Sequence, residues 1–380
     1  MRRGNRAAAL EDDTFGIMLL TALTVMNLYV LGRALSVPAL TRRVPRPWLV
    51  AAGAGLWALS LFGVLFGRGS GGPLGAAFEL FGMDYLASLF LVTVCLLAVE
   101  VVTLFGLILR RLAPRLRGWA LVAGLLLSVV AVVQGMRPPV VTNLQVRLPG
   151  LPAKLDGTVV VALSDLHLGT LTGPRWLAAR VRQVEALHPD LILLVGDIVE
   201  AYGRPPSDFT PGLKGLSAPL GVFAVLGNHE HYGRERSAVQ ALEAAGITPL
   251  NDRWVEVRPG LILAGVDDLT VRRRLGPPAE FVRKALAGRP PGATIFLSHT
   301  PWGARTAAAE GVGLMLSGHT HGGQIWPFGY VVRSFYPLFE GRYEVDGMTV
   351  YVTRGAGTWG PKMRLWPPGE ILRITLKSGG

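Results

Sequence analysis

Gly318-His319-Thr320-His321-Gly322-Gly323 places two of the chain's seven histidines two residues apart, behind the apolar run 312–316. If that run is a strand, residues two apart point to one side, and both imidazoles leave its end together. The flanking glycines allow a tight turn and a close approach of backbone to an ion or a phosphate. Four other short apolar runs stop in the same way. Val159–Leu163 ends at Asp165 and His167, Leu191–Val195 at Asp197, 222–226 at Asn228 and His229, and 294–297 at His299. These ends offer imidazole nitrogen and oxygen without thiolate, a donor set suited to Mn, Fe, Zn or a similar divalent ion. Asp165, His167, Asp197, Asn228, His299, His319 and His321 are more ligands than one ion needs. Two ions sharing a carboxylate, roughly 3.5–4 Å apart, are the usual device for splitting phosphate esters. Singly, each residue has an ordinary reading, since Asp and Asn after a strand make turns and a buried His is satisfied by hydrogen bonds. Their recurrence at successive strand ends argues for a site.

The elements that must position these residues follow from periodicity. Residues 176–186 and 237–245 have apolar positions at helical spacing and alternate with the strand runs. That order implies an α/β sheet, which gathers ligands at the carboxyl ends of its strands. Val140–Leu148 reads as a further strand, closed by a Pro149-Gly150-Leu151-Pro152 turn. Asp267 and Asp268 follow the strand-like Leu261–Gly265 and read as turn and cap residues. His188 reads as the end of a helix before Pro189. His231 reads either as a residue of the substrate mouth or as a surface histidine, and Arg272-Arg273-Arg274 either as a solvated loop or as a run attracted to anionic lipid head groups. Aromatic residues crowd 326–339 directly after the last ligands, where they and Arg333 are expected to face the bilayer side of the active-site cleft.

The blocks Asp165-Leu166-His167, Gly196-Asp197, Gly227-Asn228-His229-Glu230, His299 and Gly318-His319-Thr320-His321 stand in order across residues 158–325. They resemble the calcineurin-like metallophosphoesterase superfamily. Gly322-Gly323-Gln324 and Gly355-Ala356-Gly357-Thr358-Trp359-Gly360 resemble its bacterial, membrane-associated phosphodiesterase branch, which includes enzymes acting on lipid-linked phosphates. The resemblance implies a four-layer α/β/β/α sandwich. It implies one ion on Asp165, His167 and His321, a second on Asn228, His299 and His319, and Asp197 bridging them. A hydroxide between the ions would attack phosphorus in line. His229 would face the leaving oxygen, with Glu230 orienting its ring, and Asn228, His229 and His231 would line the substrate. His231 departs from the branch, in which tyrosine is commoner.

The first third has a different character. Half of the 380 residues are hydrophobic and mean hydropathy is +0.39. Stretches 14–32, 47–67, 85–109 and 118–136 each approach the roughly 20 apolar residues that cross a bilayer. Residues 1–139 are therefore expected to be an all-α anchor of four transmembrane helices and 140–380 the catalytic domain. Glu100 is the one ionisable group well inside a span, read as protonated or hydrogen-bonded, with no second charge to pair with it. The net charge of +12 suggests a nucleic-acid binder at first. Residues 1–139, however, hold 13 Lys/Arg against 6 Asp/Glu, so much of the excess marks topology.

Arg33, Arg42, Arg43 and Arg46 lie between spans one and two, and Arg110, Arg111, Arg115 and Arg117 between three and four. Arg68 alone lies in the alternate loop, and Arg2, Arg3 and Arg6 are diluted by Glu11, Asp12 and Asp13. The positive-inside rule makes the two arginine-rich loops cytoplasmic and the catalytic domain extracytoplasmic, in a multi-pass plasma-membrane protein. The single Cys95 excludes an intramolecular disulfide and a cysteine zinc site. The expected reaction is hydrolysis of a phosphodiester or pyrophosphate in a small-molecule, lipid or cell-envelope substrate. The competing classes are a non-catalytic phospholigand-binding module, which would have lost a ligand or His229, and a nuclease, against which the anchor argues.

Overall fold

A computed structural model describes residues 2–67, 72–233 and 235–379, with side chains from residue 16 onward. Arg68 and the side chains of Arg2, Arg3, Arg6, Glu11, Asp12 and Asp13 lie outside the described residues. The chain forms two compact units, Met1–Met136 with Gly360–Leu365, and Arg137–Trp359 with Trp366–Gly380.

In the first unit four helices are long and apolar enough to cross a membrane: Gly16–Leu35, Arg46–Gly67, Pro73–Thr103 and Ala113–Gly135. The third differs from the expected 85–109. It starts at Pro73, whose ring suits a first helical turn, and stops at Thr103. Leu104 and Phe105 take positive φ, and the Phe105 amide closes on Glu100 O at 2.7 Å. Glu100 therefore sits in the helix's last turn. It is fully buried and paired: Arg117 Nε and Nη2 reach Oε1 and Oε2 at 2.8 and 3.1 Å, and Arg33 Nε reaches Oε1 at 3.2 Å. The expectation that it lacks a charged partner is corrected. Two arginines counted as loop charges are brought to it by the ends of the first and fourth spans. Burying a carboxyl group in an apolar bundle is offset only when it is paired and hydrogen-bonded.

The second unit contains twelve strands among its described residues. They are β1 Val140–Leu148, β2 Val159–Leu163, β3 Leu191–Val195, β4 Val222–Val225, β5 Thr248–Pro249, β6 Arg253–Arg258, β7 Leu261–Gly265, β8 Ala293–Leu297, β9 Leu314–Ser317, β10 Gly341–Val345, β11 Met348–Val352 and β12 Glu370–Ser378. They form two six-stranded sheets, in the orders β1-β12-β2-β3-β4-β5 and β10-β11-β9-β8-β7-β6. β2 through β5 run parallel, as do β7, β8, β9 and β11. The facing sheets share a core that includes Val160, Leu193, Leu263, Ile295 and Leu316. Helices Pro174–Glu185 and Glu235–Ala244 bury their apolar faces on the outside of the first sheet. Pro278–Leu286 and Ala304–Ala309 do so on the second, completing four mixed α/β layers. Central strands covered on both faces must be apolar along their whole length, so polar side chains appear only where they end.

Candidate metal centre

The ends of β2, β3, β8 and β9 bring the ligand candidates together, and the backbone is strained to do so. Asp165, His167, Asp197, His319 and His321 take left-handed φ between 47° and 71°. That region costs a residue with a Cβ roughly 1–2 kcal/mol, and it persists where neighbouring contacts over-determine it. Here the Asp165 amide donates to Gly196 O at 3.0 Å, His167 to Asp197 O at 3.0 Å, and Gly318 to His299 O at 2.8 Å. The loops approach so closely that a Cβ on Gly227 would collide with Asp197 Oδ1, and one on Gly318 with Ser164 Oγ. Glycine at these two places lets one loop's backbone touch another's ligand.

Hydrogen bonds hold the imidazoles in place around the site. His299 Nδ1 donates to Val195 O at 2.8 Å. Its Nε2 faces Asp197 Oδ2, 3.1 Å away, and although burial would lower the ring's pKa, that carboxylate holds it well above its usual value. His167 gives its Nδ1 proton to Glu200 Oε1 at 2.7 Å and turns Nε2 toward His321 Nε2 at 3.0 Å. His319 pairs through Nε2 with the Tyr336 hydroxyl at 2.8 Å, leaving Nδ1 3.0 Å from Asn228 Oδ1. The Asn228 amide nitrogen is already engaged with Tyr232 at 2.8 Å. Three pairs of possible ligand atoms crowd one another at 3.0–3.1 Å: His299 Nε2 and Asp197 Oδ2, His167 Nε2 and His321 Nε2, and His319 Nδ1 and Asn228 Oδ1. Nitrogen and oxygen donors converging in this way fit divalent metal ions.

Asp165, His167 and His321 form one cluster and Asp197, His299 and His319 another, donor atoms within 4.8 Å in each. Asp197 stands between them, 3.1 Å from His299 and 3.8 Å from His167. Thr320 points away and donates to Phe339 O at 2.7 Å, so adjacent strand-end histidines are delivered to different clusters.

The electrostatics follow from burial among opposite charges. Burial would raise the Asp197 carboxyl, but His299 and then His229 hold it well below the usual range. Burial and the nearby Asp197 push Asp165 up, although His299 partly offsets them. His319 is lowered to about 4 by burial and by His299, which keeps its ring neutral and able to ligate. Burial would lower His229, but Glu200 and then Asp197 outweigh it and raise it to about 9. His229 is thus a protonated group beside the cluster, its amide on Asp197 Oδ1 at 2.9 Å and its ring edge-on to Trp359 at 6.1 Å.

Glu230 does not orient that ring. Its carboxylate accepts the amides of Asp197, Ile198, Val199 and Gly227 at 2.6–3.1 Å, pinning the β3 and β4 loops together. The group on His229 Nδ1 is Glu200, at 2.8 Å, which also holds His167. Motif spacing missed Glu200, although it lies three residues beyond Asp197 on the same strand-end loop. Tyr336 was missed too, lying in an aromatic-rich segment whose register no periodicity sets. A glutamine at position 200 keeps the shape but accepts poorly from two imidazoles. Glu200→Gln should lower activity and metal affinity by about 10–100-fold, read by turnover and metal titration of purified protein.

His231 lines neither the mouth nor the open surface. Nε2 meets Asp267 Oδ1 at 2.7 Å and Nδ1 meets Glu235 at 3.3 Å. Arg272, expected in a solvated loop, joins Asp267 at 2.8 Å and also pairs with Asp252. Asp267 is therefore the hub of an ion-pair network, while Asp268 caps helix Leu269–Arg272 as read. Burial would lower His231, but Asp267 and Glu235 lift it to about 10. A raised histidine stabilises the fold fully below its unfolded value near 6.5, and that contribution is lost as pH climbs through the folded value. His231→Ala should lower stability by about 1–3 kcal/mol at neutral pH, and the deficit in melting temperature should shrink toward pH 10.

Comparison with known proteins agrees with this geometry. The calcineurin-like phosphoesterase family profile matches residues 158–323. A transmembrane protein with metallophosphoesterase domain from Bos taurus is 34% identical over 285 residues, covering 71% of this chain and 64% of that protein. The chain therefore spans somewhat less than two thirds of that relative's length. A metallophosphoesterase of Campylobacter jejuni is 30% identical, covering 68% of each chain, and one of Aquifex aeolicus is 34% identical, covering 58% of this chain and 85% of that one. Similarity of this extent, reaching beyond the ligand blocks, makes the chain a member of the calcineurin-like metallophosphoesterase family.

Proposed function

We propose that this is a membrane-anchored phosphoesterase that uses two divalent ions to hydrolyse a phosphodiester or pyrophosphate, with a lipid or cell-envelope molecule as its substrate. The observation that carries the reading is the convergence of buried nitrogen and oxygen donors into two clusters with Asp197 between them. Asp165, His167 and His321 would hold one ion, Asn228, His299 and His319 the other, and Asp197 both. Bound there, the ions would acidify water and offset charge developing on phosphorus.

The chain's own residues do the rest. Glu200 keeps the His229 imidazolium turned toward the clusters, where it can give a proton to the departing oxygen. The Glu230 cage of amides keeps Asp197 from shifting as charge moves. Trp359, held by Gln324 through bonds of 2.9 and 3.0 Å, walls the His229 side of the cleft. Arg42, Arg43, Arg46, Arg110, Arg111 and Arg115 remain on the two arginine-rich loops once Arg33 and Arg117 are assigned to Glu100. The positive-inside rule then supports an extracytoplasmic catalytic unit in the plasma membrane.

Full-length protein in detergent should hydrolyse an aryl phosphodiester with added Mn²⁺ and stop with a chelator. Metal-loaded protein that turns over no diester, monoester or pyrophosphate would convert the reading into a phospholigand-binding module. A C-terminal tag reached by impermeant reagents on intact cells is the expected topology result, and a protected tag reverses it.

A further inference from the structure

The catalytic unit's exposed large apolar side chains are unevenly placed. Apart from Val140, Tyr202 and Leu275, the described ones are Trp326, Phe328, Tyr330, Val331, Phe335 and Trp366. Helix Gly329–Phe335 buries none of its residues, with Tyr330 69% and Phe335 70% exposed. Trp326 and Trp366 meet edge to face at 5.0 Å, joining that segment to a distant part of the chain. A cavity of about 370 Å³ opens among Trp326, Tyr330, Arg333 and Trp366, with Gly322 of the ligand loop, Glu340 and Arg354 on its walls. Glu340 Oε2 is buried there with no hydrogen-bond partner among the described residues. Burial holds the Glu340 carboxyl above its usual value.

The chain itself says what covers this edge. The last apolar helix ends at Gly135 and β1 begins at Val140. Four intervening residues span at most about 14 Å. Segment Gly360–Leu365 belongs to the helical unit, where the Arg364 amide donates to Ala131 O of that same helix at 2.9 Å. Trp366 is the first residue back in the catalytic unit. It lies two residues after Arg364, whose amide is bonded to the last apolar helix. Trp and Tyr concentrate at the head-group level, where an apolar ring and a polar edge are both accommodated. Arg333, over the Phe339 ring at 5.1 Å, adds a positive charge suited to anionic head groups.

We propose that this aromatic edge contacts the bilayer surface and opens the neighbouring cavity, which leads to the ligand loop, at the level of lipid head groups. The lipid contact stands on the exposed edge alone. The cavity's role as a head-group subsite rests on the phosphodiesterase reading.

Cys95 is the single cysteine, so full-length protein with Cys95→Ala accepts one probe at a time. Nitrobenzoxadiazole would be attached after Tyr330→Cys, Phe335→Cys and, as a control on another exposed loop, Leu275→Cys, and each protein reconstituted in phosphatidylcholine/phosphatidylglycerol vesicles. Probes at 330 and 335 should be blue-shifted, shielded from iodide and quenched severalfold by nitroxide lipid, at a depth of about 5–10 Å. The probe at 275 should show the reverse. Iodide quenching at 330 and 335 equal to that at 275 overturns the inference. Shielding from both quenchers overturns it too, because a protein surface then covers the edge. Insertion without turnover of any phosphodiester would leave the edge in place and remove the enzymatic reading. Turnover with water-exposed probes would do the opposite.

Discussion

Asp197→Asn should leave a folded protein with no measurable phosphodiesterase activity and with both metal sites depleted. Among the described residues Asp197 is the carboxylate that faces both clusters, at 3.1 Å from His299 and 3.8 Å from His167. An amide in its place presents a neutral oxygen to one cluster and an N–H to the other, where donors repel a cation. The fold itself should survive, since the Glu230 cage grips the backbone of residues 197–199 rather than the Asp197 side chain. Metal content by mass spectrometry, a thermal melt and turnover of an aryl diester together decide the point. A variant that retains one full equivalent of tightly bound ion per site would show that Asp197 is not shared.

The second large effect is expected at His229. Removing a positioned general acid typically costs about 10²–10⁴-fold, and the loss should depend on the leaving group. An alkoxide departs only as it gains a proton, whereas a nitrophenolate departs without one. His229→Ala should therefore cripple an alkyl diester far more than a nitrophenyl diester. The pH profile carries the same information. His229 is the protonated donor below its pKa, so activity on the alkyl diester should fall as pH rises through that value. Glu200 sets it at about 9, and cations bound alongside would bring it lower. The alkaline limb should be absent in His229→Ala. Equal losses on both substrates with an unchanged pH profile would assign His229 to binding instead.

The alternating order of strand and helix, and the polar residues where the strands stop, were legible from the sequence. Parallel strands covered on both faces must be apolar throughout, so their ends announce themselves as the first polar residues. β1 at Val140–Leu148 was legible as an alternating run, and the four apolar helices as runs long enough for a bilayer, although the third begins earlier than its apolar run suggested. What spacing alone left open was which groups meet. Glu100 was read as lacking a charged partner because Arg33 and Arg117 are 67 and 17 residues away, and only helix packing brings them to 3.2 and 2.8 Å. His231 and Arg272 resembled surface residues until the β7 loop supplied Asp267 between them. Glu230, the acidic neighbour of His229, was the natural choice for orienting its ring. The turn after β4 aims it at four backbone amides instead and leaves Glu200 from the β3 loop beside the imidazole. A side chain's type and its strand end are local properties, set by solvation and periodicity. Its partner is decided by how distant loops stack, through left-handed backbone at five ligand positions and glycines that allow the contact. Composition and spacing therefore determined that this chain gathers candidate metal ligands at strand ends and carries four apolar helices before them, and the tertiary structure decided which carboxylate serves each histidine.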